Sequence, residues 1–523
     1  MKKIYKYLFS VMILVPLSFG CSCKSHVTSD NENQTESDNT DQGELTVKIS
    51  KNTWKLPTTA NPISANVFCA DPTAVEYEGR LYVYGTNDHE QYLNAEKNTY
   101  EKIKSLVCFS TEDMVNWTYH GEINVGKIAP WIYNSWAPSI CSRKEADGLT
   151  HFYLYFSNSG AGSGVITATS PLGPWTSPLT KALVYPGVKS LTGDTLTDCP
   201  NPFDPGVVID ENGDGWLSFG SGKASNGTTE FPGSARIVKL GSDMISLASD
   251  FVEIKAPYLF EASELNFING TYVYTFNNSW DSRDTWTTTT AEASSACSMS
   301  YMTSKTPLDS DSWVYKGHYF KNPGEMGLNY SNNHTHLHKY AGEWWLFYHT
   351  LTLEERAQTG GGFRSMCVDK VTDSIDEENV KINNCQGTRK GVSALKNLNP
   401  FETVAGTTMF TCADTWYEDI QDPSSIAVKA AKDYGWTMVK NVDFADGATS
   451  IKIQAKGSGK ILVYADSIPE TIDDESKALA VINLDVASYK TVVKEFSNTV
   501  EELHDLYFVM NKKDICFKSW SVE

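Results

Sequence analysis

The sequence predicts an all-β protein in which a five-bladed β-propeller is followed by a β-sandwich (jelly-roll) domain. Three observations support this prediction. Short aromatic-rich strands alternate with Gly, Asn and Asp turns from Trp54 onward, one strand pattern recurs five times, and a further group of alternating strands begins near Leu398. At 523 residues the chain is also longer than one ordinary domain, so two or more folded units are expected.

The N-terminus is typical of a bacterial lipoprotein signal. Two lysines precede an apolar run that is too short to span a membrane, and Cys21 directly follows a small residue. Residues 1–20 are therefore predicted to be removed and Cys21 to carry a lipid, with the polar residues 21–50 as a tether. We expect an exported, lipid-anchored protein at the bacterial outer membrane or in the periplasm. The alternative is a plain signal peptide and secretion.

One strand pattern recurs through residues 51–396, the predicted propeller domain. Each copy is a turn followed by a strand rich in Tyr, Trp, Phe and Leu. The five copies cover residues 79–85, 151–157, 215–220, 270–276 and 342–349. Repetition of one supersecondary unit predicts five blades, with a sandwich of irregular strands as the alternative.

The residues just upstream of each copy indicate where a site would lie. The innermost strand of each blade lines the central channel, so residues at matching positions should face one another around the axis. These positions carry Asp71, Trp136, Asp204, Glu261 and His334. Charge within apolar strands is costly to bury unless it has a use. The sequence therefore predicts one cleft in which these five side chains converge.

The tail, residues 397–523, is predicted to be a separate β-sandwich domain. Alternation over residues 451–456, a turn at 457–459 and an apolar run over 461–464 predict a hairpin. Further strands are expected over residues 480–484 and 506–509.

Charge and cysteine usage exclude several classes of function. The formal net charge of -20 would repel phosphate backbones, so no nucleic-acid partner is expected. The sequence contains no glycine-rich phosphate loop and no CxxC pair.

The eleven cysteines show no framework spacing, and most are predicted to be buried thiols. The stretch from Asp210 to Gly215 begins like a calcium-binding loop, but Ser221 stands where the closing Glu is required, so a hairpin turn is predicted.

Residues from about 55 to 395 resemble glycoside hydrolase family 43. An ordered set of short segments carries this resemblance, namely residues 69–72 (CADP), 110–117 (STEDMVNW), 136–139 (WAPS), 170–175 (SPLGPW), 204–206 (DPG), 260–263 (FEAS) and 333–334 (NH). The resemblance implies an inverting mechanism with Asp71 as general base and Glu261 as general acid, whose carboxyls would stand roughly 6.5–9.5 Å apart. Asp204 would orient the acid and raise its pKa. Glu264 is the rival acid, but an offset of three along a strand points to the opposite face, which favours Glu261.

The resemblance also implies roles for three further residues. Trp136 would form part of the wall of the sugar site, with core packing as the alternative. Arg364 follows three glycines and would reach the sugar, with a surface salt bridge as the alternative. His334 would sit beside a metal ion or water in the channel, and a hydrogen-bonded core His is the alternative. The resemblance implies that no cofactor is required, and it allows a structural Ca²⁺.

The tail resembles carbohydrate-binding module family 6. Residues 399–401, 441–444 and 504–508 carry this match. Ala405 and Lys518 depart from the family pattern, which places sugar and metal binding by the tail in doubt. A further aromatic residue of the tail, Trp436, would be either a stacking platform for sugar or part of the core.

Together these observations predict an exo-acting hydrolase of side chains on plant cell-wall polysaccharides or oligosaccharides. The expected bond is to a terminal α-L-arabinofuranosyl or β-D-xylosyl unit. Endo-arabinanase and β-galactofuranosidase activities are the alternatives within the family. A non-catalytic surface glycan-binding lipoprotein is the alternative from another class, and the three intact acids argue against it.

Overall fold

The computed structural model describes residues 53–189, 191–193, 202–222, 230–280, 295–470 and 475–523. The predicted signal peptide, the polar tether and the lipidation site at Cys21 lie outside the described residues. Within the described ranges, none of the helices has both the length and the apolar character needed to cross a membrane.

Five antiparallel sheets follow one another along the chain and confirm the predicted propeller. In each sheet the strands pair in chain order. Their bounds are β1 (Ala70–Tyr77), β2 (Arg80–Thr86), β3 (Leu106–Thr111) and β4 (Trp117–Ile123) in the first blade, β5 (Trp136–Lys144), β6 (Thr150–Ser157) and β7 (Ser163–Ala168) in the second, β8 (Gly206–Ile209), β9 (Gly215–Phe219), β10 (Arg236–Lys239) and β11 (Val252–Glu253) in the third, β12 (Leu259–Ile268), β13 (Thr271–Asn278), β14 (Met299–Ser304) and β15 (Val314–Phe320) in the fourth, and β16 (Thr335–Tyr340), β17 (Glu343–Thr350) and β18 (Ser365–Lys370) in the fifth.

The first strand of each blade surrounds a common axis. β1 contacts β5, β5 contacts β8, β8 contacts β12, β12 contacts β16, and β16 returns to β1. Each recurring aromatic segment of the sequence forms the second strand of its blade, where both faces are buried between neighbouring blades. Within the described residues, three short α-helices lie in the connections, and a small hairpin follows the fifth blade. They are α1 (Asp88–Tyr92), α2 (Val125–Ile128), α3 (Thr352–Ala357), β19 (Ile375–Asp376) and β20 (Lys381–Ile382).

The tail forms a β-sandwich, as predicted. Its strands are β21 (Val404–Ala405), β22 (Thr408–Met409), β23 (Thr411–Ala413), β24 (Thr415–Glu418), β25 (Ala427–Ala430), β26 (Gly435–Asp443), β27 (Ala448–Ala465), β28 (Ala480–Val500), β29 (Leu503–Met510) and β30 (Cys516–Val522). Seven of them pair in the order β23-β26-β29-β27-β30-β25-β24. The path bends at β27, so the two ends of the sheet pack face to face.

The predicted hairpin at residues 457–459 is wrong. These residues lie inside the single long strand β27, whose first half pairs with β30 and whose second half pairs with β29. Gly457 and Gly459 have φ of +126° and +140°, and a Cβ at Gly457 would lie 3.0 Å from the backbone of Ile515. The glycines thus bend the strand where it passes from one sheet to the other, instead of reversing it.

The tail packs against the outer edge of the first blade. β22 pairs with β4, so the tail contributes a fifth strand to that blade. The Glu122 N–H donates to the Ile420 carbonyl at 2.6 Å, and a Cβ on Gly121 would lie only 2.0 Å from that oxygen. Trp436 is 3% exposed in the core between the two domains, where Val115 of the propeller also lies, so it is not a sugar platform. The described residues form one compact unit, and the domain boundary after residue 396 stays a prediction.

Two minor predictions also agree with the structure. All eight cysteines in the described ranges are buried free thiols. The segment from Asp210 to Gly215 forms the turn between β8 and β9, in which the Asp210 carboxylate accepts the N–H groups of Asn212 and Asp214 and the indole N–H of Trp216. That carboxylate also accepts the hydroxyl of Tyr272 of the fourth blade at 2.7 Å, so protein donors occupy it.

Candidate active site

The five residues predicted to converge all lie at one end of the channel. Asp71, Trp136 and Glu261 sit at the start of β1, β5 and β12. Asp204 lies two residues before β8, and His334 directly precedes β16. Because these strands surround one axis, residues from five blades meet there. The match between blades is offset by one residue, since Asp71 and Asp204 share the left-handed position of their blades whereas Trp136 and Glu261 stand one place earlier.

A one-residue bulge interrupts three of the innermost strands at this point. The pairing of each strand slips between Ala70 and Thr73, between Trp136 and Ser139, and between Glu261 and Glu264. The backbone is left-handed at Asp71, Ala137, Asp204 and Ala262, with φ of 51°, 42°, 47° and 61°. Bulges and strained non-glycine backbone concentrate where a side chain must be aimed, so the fold directs these positions into the channel.

Asp71 is an ionised carboxylate held by several donors. The Arg364 guanidinium donates to Oδ1 at 2.8 Å and the Thr86 hydroxyl to Oδ2 at 2.7 Å. The backbone N–H of Asp71 donates to Nδ1 of His349. Burial alone would raise the pKa of Asp71, but Arg364 and the histidines outweigh it and hold that pKa far below its usual range.

Arg364 is itself held by a second carboxylate. Its side chain, which is 4% exposed, donates from Nε and Nη2 to the two oxygens of Asp88 at 2.9 Å each. The Arg364 backbone N–H and the Asn98 amide also donate to Asp88. The predicted alternative of a surface salt bridge is wrong, because Arg364 lies in a buried carboxylate–guanidinium–carboxylate network.

Asp204 and Glu261 form a coupled pair of carboxyls with raised pKa. Burial and the nearby Glu261 and Asp71 charges raise the pKa of Asp204 well above normal. Burial and Asp71 raise the pKa of Glu261 to about 7. The Ala262 N–H donates to Asp204 at 2.8 Å, which offsets only part of the rise in the pKa of Asp204. The pair thus keeps one proton near neutral pH beside a fully ionised Asp71.

His334 lies beside Asp71 and not within a cluster of metal-ligating side chains of the described residues. Its Nδ1 is 3.6 Å from Asp71 Oδ1, and burial lowers its pKa to about 4 although Asp71 opposes this, so the ring is neutral at pH 7. Calcium needs six to eight oxygen ligands. The nearby carboxylates of Asp71 and Glu264 are committed to Arg and His donors, and no group of metal-ligating side chains converges in the described ranges. These side chains alone do not make up a Ca²⁺ site, and both a structural Ca²⁺ and metal binding at His334 stay predictions.

Two aromatic rings border the carboxyls. Trp136 is half-buried, and its indole N–H donates to the Tyr100 carbonyl at 3.1 Å. Its ring stands edge-on to those of Tyr100 and Phe203. The Arg364 guanidinium lies over the Tyr100 ring, 4.9 Å from its centroid. These rings supply an apolar border beside the three acids, of the kind that sugar faces contact.

Glu264 differs from Glu261 in its hydrogen-bond partners and not in the direction of its side chain. The bulge adds one residue between Glu261 and Glu264, so both side chains lie on the same face and the argument from an offset of three is wrong. Glu264 is 2% exposed, and it accepts hydrogen bonds from Ser139 at 2.7 Å and His336 at 3.0 Å. Glu261 is half-buried and is hydrogen-bonded by the Asn332 side chain. Glu264 therefore braces the channel wall.

A family comparison decides the class of protein. The model for glycosyl hydrolases family 43 matches residues 59–377. The chain belongs to glycoside hydrolase family 43. This family 43 glycoside hydrolase is 34% identical over 437 residues to an arabinoxylan arabinofuranohydrolase of Paenibacillus polymyxa, covering 79% of this chain and 66% of the relative. It is 32% identical over 484 residues to one of Bacillus subtilis, covering 86% and 89%.

A solved structure agrees over most of the chain. It is a glycoside hydrolase family 43 arabinoxylan arabinofuranohydrolase from Bacillus subtilis in complex with cellotetraose. The TM-score is 0.80 at 31% identity, and the match covers 90% of this chain and 99% of that one. The shared architecture therefore includes the tail as well as the propeller.

The family 43 site contains residues that the sequence patterns missed. They are Asp88, Tyr100, Asn332 and His349. Asp88 and His349 lie at or just beyond the ends of second strands, which meet the starts of first strands at the same edge of each blade because the strands are antiparallel. This antiparallel geometry would have indicated from the sequence that Asp88 and His349 lie at the site. Tyr100 lies in the connection between β2 and β3, where neither strand period nor repeat offers a signal.

Replacing Arg364 by Met in this family 43 enzyme should lower the free energy of unfolding by about 3–5 kcal/mol, because Asp71 and Asp88 would be buried without a counter-charge. Urea unfolding at neutral pH, followed by tryptophan fluorescence, measures this loss. The matched control is Arg389→Met, which removes an ion pair to Glu355 whose side chains are 42% and 47% exposed. That control should cost at most about 1 kcal/mol. Equal losses in the two variants would contradict the buried network.

Proposed function

We propose that this glycoside hydrolase is an inverting, exo-acting enzyme that removes α-L-arabinofuranosyl side chains from arabinoxylan. One observation carries the proposal: three carboxyls from three blades meet with their pKa values pushed apart, Asp71 downward and the Asp204–Glu261 pair upward. Such a split is what acid–base hydrolysis of a glycoside requires. The substrate follows from the names of the arabinoxylan arabinofuranohydrolases to which the chain is similar.

In the proposed mechanism Asp71 is the general base. It takes a proton from a water molecule while the water oxygen attacks the anomeric carbon from the face opposite the leaving group. The Arg364 and Thr86 donors keep Asp71 ionised throughout the pH range in which the acid is protonated. They also prevent rotation of the Asp71 carboxylate, so the oxygen lone pairs that Arg364 and Thr86 do not occupy keep a fixed orientation.

Glu261 is the general acid in this scheme. As the glycosidic C–O bond breaks, its proton passes to the departing oxygen, and one water has been added across the bond with inversion. Asp204, held by the Ala262 N–H, would orient Glu261 and tune its pKa. Afterwards Asp71 carries the proton and Glu261 is charged, so exchange with solvent restores the starting state. Arg364, His334 and the Trp136 ring would contact the sugar.

The alternative activities, the role of the tail and the lipid anchor are proposals of the same kind. Release of β-D-xylosyl units would use the same three acids, as would endo-arabinanase or β-galactofuranosidase action, with different surroundings for the sugar. The tail would act as a module of the carbohydrate-binding family 6 type. Cleavage after residue 20 and lipidation of Cys21 would anchor the enzyme to the bacterial outer membrane or hold it in the periplasm. Without the lipid it would be secreted.

A substrate panel tests the sugar and the stereochemistry. We expect turnover of an aryl α-L-arabinofuranoside and release of arabinose from arabinoxylan, with slower or no turnover of aryl β-D-xyloside and β-D-galactofuranoside. Proton NMR of the first product should show the β anomer, because one displacement inverts the centre. Retention, or preference for another sugar of the panel, would refute this assignment.

Variants of the two acids separate their roles. Asp71→Asn should lower turnover by roughly 10²–10⁴-fold on all substrates, because no group remains to activate water. Glu261→Gln should lose as much on arabinoxylan but far less on a dinitrophenyl arabinofuranoside, whose leaving group needs no proton. Both variants should keep the wild-type circular dichroism spectrum. Near-wild-type turnover by Asp71→Asn would show that the base is assigned wrongly.

The Asp204–Glu261 pair should set the basic limb of the pH profile. Glu261 must be protonated to act, and its pKa is raised to about 7, so kcat/KM on arabinoxylan oligosaccharides should fall as pH rises through about 7. The acid limb should lie well below the usual range of a carboxyl, since Asp71 stays ionised there. Rates measured from about pH 4 to about pH 9 should therefore show the basic limb and no fall on the acid side. A flat profile above neutrality would contradict the assignment of Glu261.

A further inference from the structure

Four rings stack in sequence beside the candidate active site. Trp54, Phe68, His89 and Trp416 form this aromatic column, with centroid separations of 5.5, 5.7 and 4.6 Å and an interplanar angle of 24° at each step. The first three rings belong to the propeller. Trp416 belongs to β24 of the tail, so the column crosses from one domain to the other.

The column lies against the backbone of the charged network. Phe68 stands three residues before Asp71, and His89 directly follows Asp88. Phe363, which directly precedes Arg364, packs on Phe68 with the centroids 5.5 Å apart. All three charged residues of the network are therefore joined by short lengths of chain to rings of one cluster.

Backbone hydrogen bonds tie these segments to one another. The His89 N–H donates to the Phe68 carbonyl at 2.9 Å, and the Cys69 N–H donates to the Arg364 carbonyl at 2.9 Å. The Phe68 N–H donates to Nδ1 of His89 at 3.4 Å. A shift of His89 would therefore be passed to the segment that carries Asp71 as well as to Asp88.

His89 depends on the tail for one of its two faces. Phe68 covers one face of the imidazole and Trp416 covers the other, which leaves His89 5% exposed. The helix α1 that carries it has five residues, and such a short helix has little stability of its own. Trp416 stands on a strand paired into the sandwich sheet, so it offers a fixed surface for α1.

We propose that Trp416 of the tail is a positioning residue for the catalytic base, a role that rests on the proposed function of Asp71. By covering His89 it fixes α1, so that Asp88 holds Arg364 and Arg364 holds Asp71 in the direction of the attacking water. The tail is thus part of the catalytic apparatus. A tail that only bound polymer would leave the turnover of small aryl glycosides unchanged.

The test is the variant Trp416→Ala in the full-length enzyme with an aryl α-L-arabinofuranoside. We expect kcat to fall about 10- to 100-fold with little change in KM, because a misdirected base slows chemistry more than it weakens binding. The acid limb of kcat/KM should move to higher pH, because a looser contact with Arg364 lets the pKa of Asp71 rise. Trp416→Phe, which keeps a ring on His89, should restore most of both properties.

The matched control is Ile426→Ala. Ile426 is a buried tail residue that packs close to Gly121 of the first blade and is not a member of the aromatic column. It should lower the melting temperature but leave kcat and the acid limb as in the wild type. Equal effects of the two alanine variants on kcat, or a wild-type pH profile for Trp416→Ala, would overturn the proposal.

Two further variants cover the cases in which Trp416→Ala does not fold or Asp71 is not the base. If Trp416→Ala does not fold, Trp416→Leu, which keeps apolar volume without a ring, is judged by the same kcat and pH criteria. Asp71→Asn separates the two proposals. An active Asp71→Asn would refute the assignment of the base, whereas an inactive Asp71→Asn beside a fully active Trp416→Ala would refute the positioning role alone.

Discussion

The candidate site depends on one buried cation. Arg364 lies between Asp71 and Asp88 and donates to both, and its charge allows a carboxylate to stay ionised in the interior of the propeller. Because the guanidinium contacts Asp71 directly, it lowers the pKa of that group while burial keeps a proton on the Asp204–Glu261 pair. Without this placement, burial would favour neutral forms of all three acids, and the difference in pKa between Asp71 and the Asp204–Glu261 pair would disappear.

The propeller supplies the second constraint, which is geometric. Its innermost strands bring one short segment from each blade to the same end of the channel, and three of these strands bulge there. The left-handed backbone at Asp71 and Asp204 has a conformational cost that the surrounding pairing offsets. Side chains from distant parts of the chain are thereby aimed at one place by a scaffold that is rigid elsewhere.

Much of this arrangement could be predicted from the sequence because it is repeated. Five aromatic strand segments indicated the blades, and the acids upstream of them marked the channel. Residues outside the repeat could not be found that way, as Asp88 and Tyr100 illustrate, since they lie in connections of unequal length. Bulges are also invisible to a strict period of two, which is why Glu264 was placed on the wrong face. At Gly457 and Gly459 the local turn signal was real, but tertiary pairing on both sides converted it into a bend.

The pairing of β22 with β4 has a consequence for how this enzyme can be altered. An outer propeller strand ordinarily presents unpaired N–H and carbonyl groups, a ready template for association with other chains. Here two residues of the tail, Thr408 and Met409, cover part of that edge. Exchanging the tail for an unrelated module would therefore expose an unpaired strand edge on the first blade, which favours association with other chains. A replacement tail for this enzyme would therefore have to bring a strand that pairs with β4.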